Sequence, residues 1–166
     1  MKKFSSIVLL IGAIGSSNSV QAGQKISSGV GIGSLYSTAG INGGVVVEKT
    51  FYYASIGCPT GYKMKSGGYK LTCGLGVGLS TGNMLPQIGN KHAIGMYYGI
   101  TSGAYREGPN GIEETSSNYG VAMNYSYFFG GIDNSGWNIG LSAFWVGKKL
   151  DFPVIAIPAV GFQYVY

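Results

Sequence analysis

The sequence predicts an all-β protein, an eight-stranded antiparallel up-and-down transmembrane β-barrel that follows a cleaved signal peptide. Three observations support this prediction: segments in which bulky and small residues alternate, short turn-forming breaks between them, and an N-terminal export signal. The composition agrees, because 30 of the 166 residues are glycine and 13 are tyrosine, while 10% are charged. Soluble domains carry about 25% charged residues. Beyond residue 22, no segment shows the apolar period of an amphipathic helix.

The export signal occupies residues 1–22. A positively charged start of two lysines is followed by an apolar run over 7–14 and by a small-residue cleavage motif that ends at Ala22. The apolar run is shorter than the about 20 residues that a membrane-spanning helix needs, which argues against a retained anchor helix. Cleavage after Ala22 leaves 23–166 as one domain, the outer-membrane β-barrel.

Alternation with a period of two defines the strands, and it is clearest over 69–80. The predicted strands lie at about 26–36, 38–48, 51–58, 69–80, 91–105, 117–129, 136–147 and 153–166. Tight turns are expected near Ser37 and at Lys49-Thr50. One long strand over 43–56 would give seven strands instead. Bacterial single-chain barrels have even strand numbers, which favours eight.

The clearest of the predicted strands have one bulky apolar face and one face of Gly, Ser, Ala, Asn and Thr with few charged residues, whereas the pattern is weaker in the first three strands and in the last. A soluble sandwich would place charged residues on its solvent face. The lumen of an eight-stranded barrel is instead narrow and filled by side chains. Glycines there leave room for bulky inward residues, here Tyr97, Tyr105, Phe128 and Phe144. The small-residue face is therefore assigned to the lumen, where a substitution such as Gly76→Ser is expected to cost less than Leu75→Arg on the outer face.

The bulky faces are expected to contact lipid, so that an arginine in place of Leu75 should be costly. On the strand predicted over 91–105, this face would hold Ile94, Met96, Tyr98 and Ile100. Aromatic residues cluster near the strand ends, as the two interfacial girdles of a membrane barrel require. The two predicted rims are Tyr69, Tyr119 and Trp145 at one end, and Phe129, Trp137 and Tyr164 at the other.

The chain has two cysteines, Cys58 and Cys73. In an exported protein such a pair predicts one disulfide. If the two residues face each other on adjacent strands of a hairpin, their Cα separation falls within the range that a disulfide allows. The bond would connect the two strands beneath a surface loop. Two free thiols are the alternative.

The sequence offers little for catalysis, and we expect a protein that is not an enzyme. Some barrels of this size modify lipid A with a histidine and a serine, but His92 is the single histidine, and a His-x-Ser motif is absent because position 94 is Ile94. His92 is also predicted near a periplasmic turn, away from the outer rim. The cysteines, this histidine and the loop glutamates form no zinc pattern. Glycine runs such as 74–78 lack the strand–turn–helix context of a phosphate loop. No metal or cofactor is predicted.

Basic residues in the predicted external loops form a candidate binding surface for lipopolysaccharide phosphates, through charge-assisted hydrogen bonds. They are Lys63, Lys65, Arg106, Lys148 and Lys149. Acidic residues on the same side leave an ordinary solvated rim as the alternative; they are Glu107, Glu113, Glu114 and Asp151. The net charge of +5 includes the two signal lysines. The remaining basic residues are scattered, so no nucleic-acid partner is predicted.

The last strand carries the most specific motif of the chain. Its aromatic residues Phe162, Tyr164 and Tyr166 occupy every second position up to the final residue. In this respect the chain resembles the small OmpA/OmpX-type outer-membrane β-barrel family. The resemblance implies that these three residues form the signal read by the barrel-assembly machinery. Pro158 departs from a regular ladder strand because it has no backbone N–H to donate, so a bulge or weak pairing is expected there.

Together these features predict a small, monomeric integral protein of the Gram-negative cell outer membrane, with a structural or surface-interaction role and no catalysis. Its expected partners are outer-membrane lipid, lipopolysaccharide and the barrel-assembly machinery. The barrel would be porin-like in architecture but too narrow for an open channel. Two alternatives remain open, an outer-membrane enzyme that modifies lipid A and a secreted soluble β-sheet binding protein.

Overall fold

The computed structural model describes residues 23–63, 69–84, 89–107, 113–145 and 154–166. Its eight strands are β1 Gln24–Gly33, β2 Thr38–Val47, β3 Thr50–Lys63, β4 Tyr69–Thr81, β5 His92–Glu107, β6 Glu113–Phe128, β7 Gly136–Trp145 and β8 Val154–Val165. Each strand pairs antiparallel with the next, and β1 pairs with β8, which closes the barrel. The predicted all-β, eight-stranded antiparallel up-and-down barrel is confirmed. The predicted signal peptide, 1–22, lies outside the described residues.

The connections divide between two ends of the barrel. The end that holds the start of β1, the end of β8 and the β2–β3, β4–β5 and β6–β7 connections is called the terminal end below. The opposite end, with the β1–β2, β3–β4, β5–β6 and β7–β8 connections, is called the loop end. No helix in the described part of the chain is long and apolar enough to cross a membrane.

Both predicted turns are present, but the second is formed by Glu48 and Lys49, one residue earlier than the expected Lys49-Thr50, and Thr50 begins β3. Glu48 and Lys49 both have positive φ, 46° and 65°, as the two central residues of a type I′ hairpin turn do. This turn separates β2 from β3, so the seven-strand alternative is wrong. Ser37 also has a positive φ, 50°. The segment before it differs from the prediction, because β1 stops at Gly33 and Ser34–Tyr36 form a buried 3-10 turn.

The assignment of faces is confirmed along most strands. On β4, the bulky residues from Leu71 to Leu79 are exposed while Gly76 and Ser80 are buried. Ile100 is the exception, because it was expected on the outer face and is fully buried. The register between β5 and β6 shifts between Ile100 and Ser102. This bulge breaks the alternation along β5, and the Ile100 side chain packs beside Gly74 of β4 instead.

Two hairpins extend past the rest of the wall at the loop end. The ladder between β4 and β5 ends at the pair Gly76–Gly99. The β3–β4 hairpin continues to the pair Lys63–Tyr69, and the β5–β6 hairpin continues to Glu107–Glu113. Pairing along β3 and β6 is therefore longer than the alternation pattern alone predicts.

Pro158 lies in β8 without the bulge that the sequence suggested. It stands opposite Leu141 in an unbroken register between β7 and β8. On the other side of β8, pairing with β1 ends at Val160, two residues away. Pro158 therefore needs no ladder partner on the β1 side, which is the arrangement that a residue without a backbone N–H tolerates.

Candidate functional site

The lumen is packed with uncharged side chains. Among the described residues, none of the buried side chains is an acid, a lysine, an arginine or a histidine. The buried apolar cluster consists of Leu35, Tyr36, Val46, Phe51, Tyr53, Ala93, Tyr97, Ala122, Phe128, Ile132 and Phe144. The inward positions predicted for Tyr97, Phe128 and Phe144 are confirmed, whereas the side chain of Tyr105 lies outside the described set. Such a filled interior holds side chains rather than a channel.

The β1–β2 connection, Ser34–Ser37, folds into the lumen and is called the plug loop below. All four of its residues are fully buried, or nearly so. Leu35 and Tyr36 belong to the apolar cluster, together with inward residues from strands on the other side of the barrel. The ring of Tyr36 lies against Gly161, where an added Cβ would come within 2.3 Å of its hydroxyl oxygen. A glycine at 161 is therefore required for the loop to fit.

Hydrogen bonds attach the plug loop to inward residues of several strands. The Ser34 amide donates to Ser142 Oγ over 3.0 Å, and the hydroxyls of Ser37 and Ser55 are 2.7 Å apart. A further set completes the contacts: Tyr97 Oη to Ser37 Oγ at 3.0 Å, Asn138 Nδ2 to Tyr36 Oη at 2.7 Å, and Asn42 Nδ2 to the Leu35 carbonyl at 3.0 Å. Because Ser142 lies on β7 and Ser55 on β3, the loop bridges opposite parts of the wall.

Burial raises the pKa of Tyr36 from its ordinary 10.0 to about 12, and the hydrogen bond from Asn138 opposes part of this rise. The hydroxyl is therefore neutral at physiological pH. The protonated hydroxyl of Tyr36 contributes fully to the free energy of unfolding at pH values below 10.0, its pKa in the unfolded chain. This contribution is lost as the pH rises from 10.0 to about 12, its pKa in the folded barrel.

The lumen glycines are less tolerant than the sequence suggested. A Cβ added at Gly76 would lie 2.2 Å from the Tyr97 ring. Tyr97 is buried and hydrogen-bonded to the plug loop, so its ring cannot move aside without losing those contacts. Gly76→Ser is therefore expected to be costly, because this glycine makes room for a specific side chain. That it costs less than Leu75→Arg stays a prediction.

The outer surface of the barrel is apolar over most of the described wall. Exposed residues from successive strands include Ile26, Val30, Ile41, Ile56, Leu75, Val77, Met96, Val121, Ile139, Leu141 and Val160. All six aromatic residues predicted for the rims are exposed. Several outer aromatic rings contact one another, with centroid distances of 5.5 Å for Trp137–Phe162 and 4.6 Å for Tyr164–Tyr166. Among the described strand residues, few of the exposed side chains are charged, whereas a solvated sheet face normally carries many.

The junction of β1 and β8, called the seam below, involves the terminal aromatic motif. The Tyr166 amide donates to the Ile26 carbonyl over 2.9 Å. Between the outward aromatic residues, Gln163 points inward and donates to Ser27 Oγ at 2.6 Å and to Asn42 Oδ1 at 3.1 Å. The motif therefore lies on a strand that is paired on both sides. Its predicted role as an assembly signal stays a prediction.

The β6–β7 turn fastens the seam at the terminal end, which the sequence did not reveal. Lys25 Nζ donates to the Asp133 carbonyl over 2.8 Å, and Asn90 Nδ2 donates to Asp133 Oδ1 over 2.6 Å. Ser135 Oγ accepts from the Val165 amide at 2.9 Å and lies 3.2 Å from the Val165 carbonyl. The turn residues Gly130 to Gly136 were recognisable as a turn. Their partners are distant in sequence, so no local pattern could indicate them.

Cys58 and Cys73 form a disulfide that links β3 to β4. Their Cα atoms are 4.0 Å apart. The register between these strands shifts between Gly57 and Thr60, so that Cys58 and Pro59 together stand opposite Cys73. The predicted pairing is confirmed, and it holds the hairpin together at an irregularity of its ladder.

Removing this disulfide is expected to lower the free energy of unfolding by about 3 kcal/mol, because the bond closes a loop of about 15 residues in the unfolded chain. Paired Cys58→Ser and Cys73→Ser substitutions test this against reduced wild-type protein, which should match the double variant. Non-reduced protein should be two hydrogen atoms lighter than reduced protein by mass spectrometry. Complete alkylation of both cysteines without a reductant would contradict the assignment.

The predicted lipopolysaccharide contacts are only partly within the described structure. Lys63 and Arg106 lie in β3 and β5, near the loop end, but their side chains are outside the described set. Lys65, Lys148 and Lys149 fall outside the described residues altogether. Their common role in binding phosphates stays a prediction.

His92 lies at the terminal end, as the sequence indicated. Its Nδ1 is 2.5 Å from the Tyr125 hydroxyl, and its ring packs edge-on against Tyr127 with centroids 4.9 Å apart. These tyrosines are aromatic neighbours on β6 rather than a nucleophile and an acid. In the part of the chain that is described, no group of three or more His, Cys, Asp or Glu side chains is placed to hold a metal ion.

Comparisons with protein-family models, with curated proteins and with solved structures find no match for this chain. The features of the chain that bear on its function are a closed barrel, an uncharged and filled lumen, an apolar outer wall and two hairpins that extend beyond that wall.

Proposed function

We propose that this protein is a small integral barrel of the Gram-negative outer membrane with a structural or surface-interaction role and no catalytic activity. The observation that carries the proposal is the polarity of the closed barrel. Its outer wall is apolar, whereas its described buried side chains are uncharged and include many Ser, Thr and Asn residues. A closed barrel leaves no sheet edge to the hydrocarbon, which is the condition for crossing a bilayer with strands.

The dimensions support a membrane-spanning wall. The shortest strands have 10 residues, and a strand of about 10 residues that is tilted by about 40° rises roughly 25 Å, the height of the apolar band of outer-membrane barrels. Aromatic residues lie towards both ends of this wall. A soluble protein rarely exposes a continuous apolar patch beyond a few hundred Å², so water is a poor solvent for this surface.

The expected partners follow from this placement. The outer wall would contact membrane lipid, and the basic residues predicted at the loop end would meet lipopolysaccharide phosphates. The predicted signal peptide would direct export, and the barrel-assembly machinery would insert the chain as a monomer. Because side chains fill the lumen, solute diffusion is not part of the proposed function.

Membrane fractionation combined with a heat-modifiability gel tests the proposal. We expect the protein in the outer-membrane fraction, with an unboiled form that migrates differently from the boiled form because the closed barrel resists detergent. Recovery in the soluble periplasmic fraction would contradict the proposal and favour a secreted binding protein. Activity of the purified barrel on lipid A would contradict the absence of catalysis.

Replacing Tyr166 with aspartate is expected to impair assembly in cells more than it destabilises the folded barrel. The residue ends the strand that closes the seam, and its ring is suited to the membrane interface. The heat-modifiable fraction in cells should fall several-fold, while the refolding yield in detergent changes little. The matched control is Tyr69→Asp, which alters another exposed tyrosine at the loop end. Equal assembly of both variants would contradict the terminal-signal hypothesis.

A further inference from the structure

The plug loop combines complete burial with an unfavourable backbone. Ser37 has φ 50°, and Thr38, the first residue of β2, has φ 80°. Positive φ is uncommon for any residue with a Cβ and is a genuine outlier for a β-branched residue such as threonine. Such conformations persist where surrounding contacts impose them, and they are concentrated at switch and clamp segments. The loop is thus held in the lumen against its own backbone preference.

The loop has no strand ladder to hold it. Within the loop, the Ser37 amide reaches the Ser34 carbonyl at 3.4 Å, a long contact. Its attachments to the wall are the hydrogen bonds described above and the packing of Leu35 and Tyr36 in the apolar cluster. Each bond of this kind contributes modestly to stability, since water can replace either partner when the loop is exposed.

We propose that the plug loop has two positions, one seated in the lumen and one in which it has moved out of the lumen at the loop end, and that the strain at Ser37 and Thr38 reduces the free-energy advantage of the seated position. Displacement leaves the β1–β2 ladder intact up to the pair Ile32–Ala39, because the loop and the strained Thr38 lie beyond that pair. It uncovers Tyr97 and Phe144, whose rings are in edge contact at 6.1 Å. The loop therefore controls access of solvent to the part of the lumen that Tyr97 and Phe144 line.

The movement of the plug loop requires the folded barrel but not its location in the outer membrane. An experiment on the loop can therefore fail without contradicting the proposed function, and the reverse also holds. Amide hydrogen exchange of the folded, detergent-solubilised protein measures the opening directly. We expect the Ser34 amide to exchange through a local opening, much faster than the Val30 amide inside β1. Equal rates for the two amides would mean that the loop leaves only on global unfolding and would overturn the proposal.

Two pairs of variants test the cause of the opening. Ser142→Ala removes the acceptor of the Ser34 amide and also the hydroxyl that lies 3.0 Å from Ser34 Oγ. It should accelerate exchange of the Ser34 amide at least about tenfold, the effect of one lost hydrogen bond. The matched control is Ser126→Ala, because Ser126 is also buried and inward-facing, and its hydroxyl has no hydrogen-bond partner among the described residues. It should leave the exchange unchanged. If the Ser34 amide exchanged at the same rate in both variants, its hydrogen bond to Ser142 would not control the opening, and the proposal would fail.

Thr38→Gly removes the steric strain of a Cβ at positive φ. Thr38→Ala removes the hydroxyl and methyl groups of the threonine but keeps a Cβ in the same strained conformation. We expect exchange of the Ser34 amide to be about fivefold slower in the glycine variant than in the alanine variant, because relief of strain favours the seated loop. Equal or faster exchange in the glycine variant would show that strain does not set the balance between the two positions.

Discussion

Replacing Tyr36 with alanine is expected to lower the free energy of unfolding by about 3–5 kcal/mol, the range for truncating a large buried aromatic residue. Its side chain is fully buried, lies against Gly161, and accepts a hydrogen bond from Asn138. Truncation leaves a cavity inside the lumen beside Gly161 and Asn138. It also leaves the Asn138 amide without this acceptor, which adds a desolvation cost.

Denaturant unfolding of the refolded barrel in lipid vesicles provides the measurement. The Tyr36→Phe variant separates the hydroxyl from the ring and should cost about 1–3 kcal/mol, the penalty for an unsatisfied buried partner. The matched control is Tyr98→Ala, which removes an outward tyrosine that is 58% exposed. A loss in Tyr36→Ala no larger than the loss in Tyr98→Ala would contradict the tightly packed plug loop.

An arginine in place of Leu75 is expected to cost about 2–4 kcal/mol in a bilayer, the range for a cation near the midplane on the lipid face of a barrel. Leu75 points outward with 57% of its surface exposed. It lies at the middle of β4, which runs from Tyr69 at the loop end to Thr81 at the terminal end. If this position is near the bilayer midplane, the substitution places a charge far from headgroups and water.

Leu71→Arg is the matched control for this prediction. Leu71 shares the strand and the outer face of Leu75, but it lies two residues from Tyr69 at the rim. Near an interface the same change should cost about 0–1 kcal/mol. If both arginine variants unfolded at the wild-type denaturant concentration in vesicles, the outer wall would not face hydrocarbon, and the membrane proposal would lose its support.

The sequence was sufficient for the number of strands and for most of their faces. Successive side chains of a strand point to opposite sides as a matter of backbone geometry, so the alternation along β4, β6 and β7 is visible without any tertiary information. The disulfide was predictable for a related reason, because Cys58 and Cys73 lie on adjacent strands of one hairpin. Both inferences depend on short-range geometry alone.

The plug loop could not be predicted, because its conformation is fixed by distant contacts. The pattern extended the first strand through Tyr36, but the loop is held by Asn138 and Ser142, which are 102 and 108 residues away in sequence. The same limit applies to Gly76. Composition identified it as a lumen glycine, yet only the position of the Tyr97 ring shows why a side chain there is not tolerated.

The pairing of β1 with β8 has a consequence for how quickly the chain can fold. Hairpins between neighbouring strands need only short connections, whereas the seam joins residues that are far apart in the chain, such as Ser27 and Tyr164, which are 137 positions apart. Closing so long a segment has a large entropic cost, and chains dominated by such pairings fold slowly. We therefore expect the seven hairpins to form first and the β1–β8 pairing to limit the folding rate. Until that step, β1 and β8 are both open edges, and the incomplete sheet is the species most liable to aggregate.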